Sequence, residues 1–320
     1  MKKVMVGILV AAAVVASYAF SAHKPGTSIV APTTPQQLGE RLFFEKMLSA
    51  DRSISCASCH IPAYGFADTV AFSKGVGGRR GKRNAQSCAN MSDRPYFFYD
   101  GRAATLEDQV RFPIEDINEM SLPIEQAVAR LRKSKEYVAW FGRIYKSKPT
   151  EHYLKAAIAA YERTLETSKT PFDRYMDGNE SAISASAIRG RELFMGSKAK
   201  CFDCHFSPDF TGDEFRNIGL YDGAKLKDEG RYGITGNKDD LGKFRVPGLR
   251  NVAVTAPYMH NGMFGKLRQV IDYYDNPSAT VANPINIDTL LANPLNLTEQ
   301  EKQDLENFLL TLTDDRFKKR

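Results

Sequence analysis

The sequence predicts an all-α protein made of two helical domains. Three observations predict it. Apolar residues recur at helical spacing along much of the chain, a short cysteine motif occurs twice about 140 residues apart, and a similar amphipathic segment precedes each copy. No alternating apolar and polar run marks a sheet. At 320 residues the chain has room for two domains. With 42% hydrophobic and 26% charged residues it is an ordinary globular chain, which excludes collagen, wholesale disorder and a multi-span membrane protein. The net charge of +6 is mild and gives no nucleic-acid signal.

In chain order, Lys2-Lys3 followed by the apolar run Val4 to Phe20 reads as a secretory signal over residues 1–22, cut after Ala19 or Ala22, or retained as an N-terminal membrane anchor. The mature protein is then expected in a periplasm. Gly39-Glu40-Arg41-Leu42-Phe43-Phe44 predicts a short helix before Cys56. Phe72 to Gly81 is glycine-rich and is expected to be a flexible loop. Pro123 to Tyr145 carries Ala127, Leu131, Val138, Phe141 and Ile144 on a helical stripe, and His152 to Leu165 carries a second. Asp177-Gly178-Asn179-Glu180-Ser181 is polar and turn-rich, so the domains should join near residues 166–182. Gly190-Arg191-Glu192-Leu193-Phe194-Met195 repeats the first helix before Cys201. Leu305, Phe308, Leu309 and Leu312 close the chain with a last helix. The domains expected are 23–170 and 171–320.

Cys56-Ala57-Ser58-Cys59-His60 and Cys201-Phe202-Asp203-Cys204-His205 both read C-x-x-C-H, the attachment signal for c-type haem. Two thiols one turn apart form thioethers to the vinyl groups of one porphyrin, and the histidine ligates its iron. A redox dithiol needs no histidine, and a zinc site needs four ligands that two distant pairs do not supply. Each domain is therefore expected to be cytochrome c-like, with one covalently attached haem c.

The histidines limit the axial ligands. The chain has His23, His60, His152, His205 and His260, and none lies between His60 and His152. The loop after the first motif thus offers no second imidazole. Unless Met91 or Met120 binds, the first iron should keep an open position, which marks a catalytic haem.

These motifs, taken with Gly81-Lys82-Arg83-Asn84, Phe98-Tyr99-Asp100-Gly101-Arg102-Ala103, Phe112-Pro113-Ile114, Asn118-Glu119-Met120 and Pro257-Tyr258-Met259-His260-Asn261-Gly262, give a resemblance. The chain resembles the bacterial dihaem cytochrome c peroxidase superfamily, especially its MauG-like branch, over essentially the whole mature chain. The resemblance implies a high-spin peroxidatic haem on His60 and a low-spin electron-transfer haem on His205. It implies catalytic roles for Glu119 as acid–base, Tyr99 as inter-haem relay and Pro113 as a crowding residue. The implied cofactor-binding set is Cys56, Cys59, His60, Cys201, Cys204, His205, Tyr274, His260 and Arg245. Tyr274 stands fourteen residues after His260, where relatives carry the second haem's distal ligand, Met in many peroxidases and Tyr in MauG. Met259, Met263 and Tyr273 are the alternatives. Asn84, Thr255 and Pro257 match a calcium site between the haems. Tyr99 replaces the family's tryptophan, the chain's single tryptophan being Trp140, which reads as core, and Cys88 replaces an aliphatic residue.

The resemblance implies a periplasmic peroxidase that reduces H2O2 to water with electrons from a small c-type cytochrome or cupredoxin. The alternative is a MauG-like enzyme whose high-valent dihaem state oxidises residues of a partner protein. A second alternative is a dihaem electron carrier without catalysis. The family it resembles is often dimeric, which makes a homodimer one candidate assembly while the sequence does not fix the oligomeric state, and nucleic acid is not expected as a partner.

Overall fold

In the computed structural model of the protein, residues 30–317 are described; the signal or anchor read at residues 1–22, and His23, lie outside them. Ten α-helices dominate: α1 (Pro35–Phe43), α2 (Leu106–Glu115), α3 (Ile124–Lys133), α4 (Lys135–Tyr145), α5 (Glu151–Glu162), α6 (Pro171–Met176), α7 (Ala185–Met195), α8 (Tyr232–Thr235), α9 (Leu267–Asp275) and α10 (Glu299–Leu310). Thr34, Thr105, Thr150, Thr170, Ser184 and Thr298 open six of them by accepting a hydrogen bond from a backbone N–H in the first turn.

The stripe read across Pro123 to Tyr145 divides into α3 and α4. Ser134 sits at the break in an extended conformation and caps α4 by accepting from the Tyr137 N–H. Apolar spacing runs through such a break undisturbed, whereas the serine oxygen competes with the helix for a backbone donor. A two-residue ladder also forms, with β1 (Phe215–Arg216) antiparallel to β2 (Phe244–Arg245). It is too short to leave an alternating pattern.

The helices enclose two apolar cores. The first joins Leu38, Leu42 and Phe43 of α1 to Ile158 and Tyr161 of α5, with Leu131 and Phe141. The second joins Phe194 of α7 to Leu305 and Phe308 of α10, with Phe172 and Phe210. The sequence repeat becomes a repeated helix crossing. Phe43 and Tyr161 meet edge to face with ring centroids 5.2 Å apart, and Phe194 and Phe308 meet at 5.2 Å. Trp140 is half-buried against the first core, and Cys88 is buried within it.

Ion pairs tie the halves together. Arg83 spans Asp100 and Asp228, at 2.6 and 2.7 Å. Arg94 pairs with Asp209 and Asp213. Phe317 returns to pack edge-on against Phe66 of the first half, 6.4 Å away. The glycine-rich segment is pinned rather than free. Val76 N–H donates to the Glu119 carbonyl at 2.8 Å, Gly75 N–H to the Arg79 carbonyl at 2.7 Å, and Arg79 Nε to the Ile117 carbonyl at 2.5 Å. A Cβ on Gly75 would stand 2.0 Å from the Asn118 carbonyl oxygen, so the approach needs glycine. Among the described residues, no helix is long and apolar enough to cross a membrane.

Candidate haem pockets and active site

Both cysteine motifs fold alike. Residues 56–58 and 201–203 form a tight helical turn, and the histidine N–H of each motif donates to the carbonyl of the first cysteine at 2.9 Å. All four thiols are free. Burial pushes them up, Cys59 and Cys204 to about 11, so they sit as neutral thiols.

The ring nitrogens are already sorted. His205 Nδ1 lies 2.8 Å from the Phe210 carbonyl, and His60 Nδ1 lies 2.9 Å from the Gln86 carbonyl and 3.1 Å from that of Phe66. A carbonyl only accepts, so Nδ1 carries the proton. Burial lowers both imidazoles and keeps them neutral. Each therefore presents a free Nε2 lone pair, as an axial ligand must.

Around His205 opens a cavity of about 250 Å³, whose lining includes Cys201, Cys204, Tyr274, Leu305 and Leu309 together with Tyr99, Arg245, His260 and Met259. The neighbouring tyrosines differ. Tyr273 donates its hydroxyl to the Ile218 carbonyl at 2.5 Å. Tyr274 is half-buried, lines the cavity and has no hydrogen-bond partner among the described residues. Burial drives its hydroxyl far above the usual phenol range, so a phenolate forms there only if a cation shares the cavity. Met259 also lines it, while Met263 is 38% exposed and does not.

Arg245 is 2% exposed. It donates to Gln86 Oε1 at 2.8 Å and to the Phe98 carbonyl at 3.3 Å, and its carboxylate, on Asp213, stands off at 3.5 Å. A buried guanidinium so loosely paired suits an anionic group such as a haem propionate. His260 stacks face to face on Phe244 at 3.8 Å, and burial lowers it to about 4. Asn84, Thr255 and Pro257 line the same cavity; Asn84 donates through Nδ2 to the Val70 carbonyl at 3.1 Å, leaving Oδ1 without a donor among the described residues. No three carboxylate, thiol or imidazole groups gather there to hold a metal, so a cation at this spot would rest on neutral oxygens.

The second pocket is smaller. It is lined by Cys56, Cys59 and His60, by Gln109, Val110 and Pro113 of α2, by Glu119 and Met120, and by Ile158 and Glu162 of α5. Pro113 lies inside α2, which ends two residues later, and its carbonyl accepts from the Met120 N–H at 3.1 Å, turning the next segment back over the pocket. Glu119 forms no hydrogen bond through its carboxyl among the described residues. Burial, with Asp116 adding to it, raises Glu119 to about 7 against the opposing charge of Arg102. Arg102 is itself held over the Phe98 ring at 3.5 Å and paired with Asp100 at 3.0 Å. Met91 packs elsewhere, against Phe97 and Leu106.

Comparison with known proteins shows the family of the chain. A family model described as di-haem cytochrome c peroxidase matches residues 34–181. A cytochrome-c peroxidase, IdrP1, of Pseudomonas sp. strain SCT is 35% identical, over 86% of this chain and 80% of the relative. The methylamine utilization protein MauG of Methylorubrum extorquens is 36% identical, over 88% of this chain and 79% of its own. A solved structure of a MauG-like protein associated with microbial copper homeostasis superposes with a TM-score of 0.80 at 34% identity, covering 89% and 92% of the two chains. The chain belongs to the di-haem cytochrome c peroxidase family.

For a member of this family, the chemistry of both pockets fits haem c: paired free thiols, a neutral histidine with its outer nitrogen engaged, and an apolar enclosure. Tyr99 lines the larger cavity and is held by later segments of the chain. Arg245 N–H donates to its carbonyl at 2.7 Å, and Arg231 donates to the Asp100 and Gly101 carbonyls at 2.8 and 2.9 Å. The Tyr99 ring meets His260 edge-on at 6.3 Å. Its hydroxyl, driven well above the usual phenol range by burial, has no partner among the described residues. Sequence reading missed Gln109 and Glu162. The available signal was helical spacing: Gln109 lies one turn before Pro113 on α2, and Glu162 one turn after Ile158 on α5.

Proposed function

We propose that this family member is a periplasmic peroxidase that reduces H2O2 to water with electrons from a small c-type cytochrome or cupredoxin. The observation that carries it is Glu119, a carboxyl without a hydrogen-bond partner in a buried pocket shared with Cys56, Cys59 and His60 and raised to about 7 by burial. In this reading Cys56, Cys59 and His60 hold the peroxidatic haem, and Cys201, Cys204, His205 and Tyr274 the electron-transfer haem, in domains 23–170 and 171–320. The bound haems supply the oxidising centre and store the oxidising equivalents.

Glu119 takes the proton from bound peroxide and returns it to the departing oxygen, a two-way task suited to an acid near neutrality. Pro113 and Val110 narrow the space above it. Tyr99 relays between the pockets, and its phenolic proton makes that relay sensitive to the proton's destination. Arg245 and His260 would hold the charged groups of the second haem. Asn84, Thr255 and Pro257 would hold Ca2+. The pairing of two identical subunits belongs to the same reading.

The placement of Tyr274 favours a second reading, oxidation of residues on a partner protein as in MauG-like enzymes. Electron paramagnetic resonance of the all-ferric protein, followed by peroxide with either a reduced small cytochrome or candidate protein substrates, separates the two. A high-spin ferric signal with fast cytochrome turnover supports the peroxidase. Two low-spin signals and no peroxide consumption overturn both and leave a dihaem electron carrier.

A further inference from the structure

The first pocket holds a second carboxyl. Glu162 is 5% exposed, lines the pocket with Glu119, and forms no hydrogen bond or ion pair through its side chain among the described residues. It is the last residue of α5, where the helix dipole opposes a negative charge. Burial raises it to about 8, against the opposing charge of Arg163.

Its charge reaches the Cys56 and Cys88 thiols and the Tyr161 hydroxyl. It is itself influenced by Arg163 and by Glu107 of α2. Those two form a bidentate pair at 2.7 and 3.0 Å, with side chains 41% and 33% exposed. The carboxyl thus lines the pocket, while the next residue along the chain, Arg163, belongs to a surface ion pair. Glu119, by contrast, is influenced by Asp116 and Arg102, and both carboxyls act on Cys56.

Peroxide reduction needs such a group. The balanced reaction is H2O2 + 2 H+ + 2 reduced donor → 2 H2O + 2 oxidised donor. Glu119 moves a proton already present on the peroxide and adds none. Two protons must come from solvent as the donor's two electrons arrive. We propose that Glu162 is the proton inlet of the first pocket, passing solvent protons from the Glu107–Arg163 surface to the oxygen retained there. This rests on the peroxidase reading above, and it assigns the two carboxyls separate steps: Glu119 serves O–O cleavage, and Glu162 serves the return to rest.

The test uses ferric holoprotein, wild type and E162Q, with H2O2 and a reduced small cytochrome. The infrared spectrum of the wild type should hold a protonated carboxylic acid band that shifts in D2O and is missing in E162Q. E162Q should react with H2O2 within twofold of the wild-type rate, yet return to rest about tenfold more slowly, with a larger solvent deuterium effect. E162D, which keeps the acid, should recover most of that rate, and E162A, which removes the acid, replaces E162Q if the amide variant fails to load haem. An unchanged return rate in E162Q or its replacement E162A, an equal slowing of both phases, or an unchanged infrared spectrum in either overturns the inlet and leaves the peroxidase standing. A wild type that consumes no peroxide overturns the peroxidase reading itself.

Discussion

Gly39 of α1 presses so closely on Ala157 of α5 that a Cβ would stand 1.8 Å from the Ala157 carbonyl oxygen. The second half repeats the contact, with Gly190 of α7 against the Asp304 carbonyl oxygen at 1.9 Å. In each half, an aromatic pair four residues further along both helices completes the crossing.

Replacing either glycine with alanine forces the helices apart. Gly39→Ala should destabilise the first core and Gly190→Ala the second, each by at least about 1–3 kcal/mol, the range for overpacking a filled core. Thermal unfolding followed by circular dichroism reads the loss. A melting temperature unchanged in both variants would mean that the helices do not cross this closely.

In the peroxidase reading proposed above, Glu119 sets a pH dependence with a definite sign. As a base it must be ionised to accept the peroxide proton. Its acid form is raised to about 7, so the peroxide reaction should fall as pH drops below that value and level off above it. Glu119→Gln should cost roughly 10²–10⁴ in the rate, the usual worth of a positioned acid–base group, and should erase this limb. Stopped-flow mixing with H2O2 across pH measures both.

Tyr274 should report on the second pocket alone. Tyr274→Phe removes the unpartnered hydroxyl while keeping the ring. The expected result is an altered low-spin ferric signal and a higher reduction potential for one haem, because an anionic oxygen ligand favours Fe(III). Identical signals and potentials in the variant would assign that ligand elsewhere, with Met259 next in line.

Asp304 links stability to pH. It accepts from Arg189, Ser186 and Gln300, and the Arg189 hydrogen bonds lower it to about 2. A carboxyl lowered on folding stabilises the fold above its unfolded value, near ~3.9, and loses that contribution as pH falls through about 2. Asp304→Asn should therefore cost about 1–3 kcal/mol at neutral pH, with the gap to wild type closing toward pH 2. Urea midpoints at several pH values test this.

Much of the molecule was legible in the chain because its signals are local. C-x-x-C-H needs only five residues in a row, and helical stripes need a dozen, so both motifs and most helices could be read directly. The repeat of Gly39 and Gly190 was visible for the same reason, although its meaning, a helix crossing, was not. Order along the chain also marked Glu119, Tyr99 and Tyr274 through a resemblance.

Tertiary structure decided what depends on distance between remote segments. It separated Tyr274 from Tyr273 by engaging one hydroxyl at Ile218 and leaving the other in the cavity. It fixed the glycine-rich loop to the Glu119 segment through backbone bonds that any side chain sequence would hide. It also brought Glu162 from α5 into the pocket of the first cysteine motif, a hundred residues upstream. Ionisation in a folded protein follows from burial and from neighbours in space, and a sequence lists neighbours only along the chain.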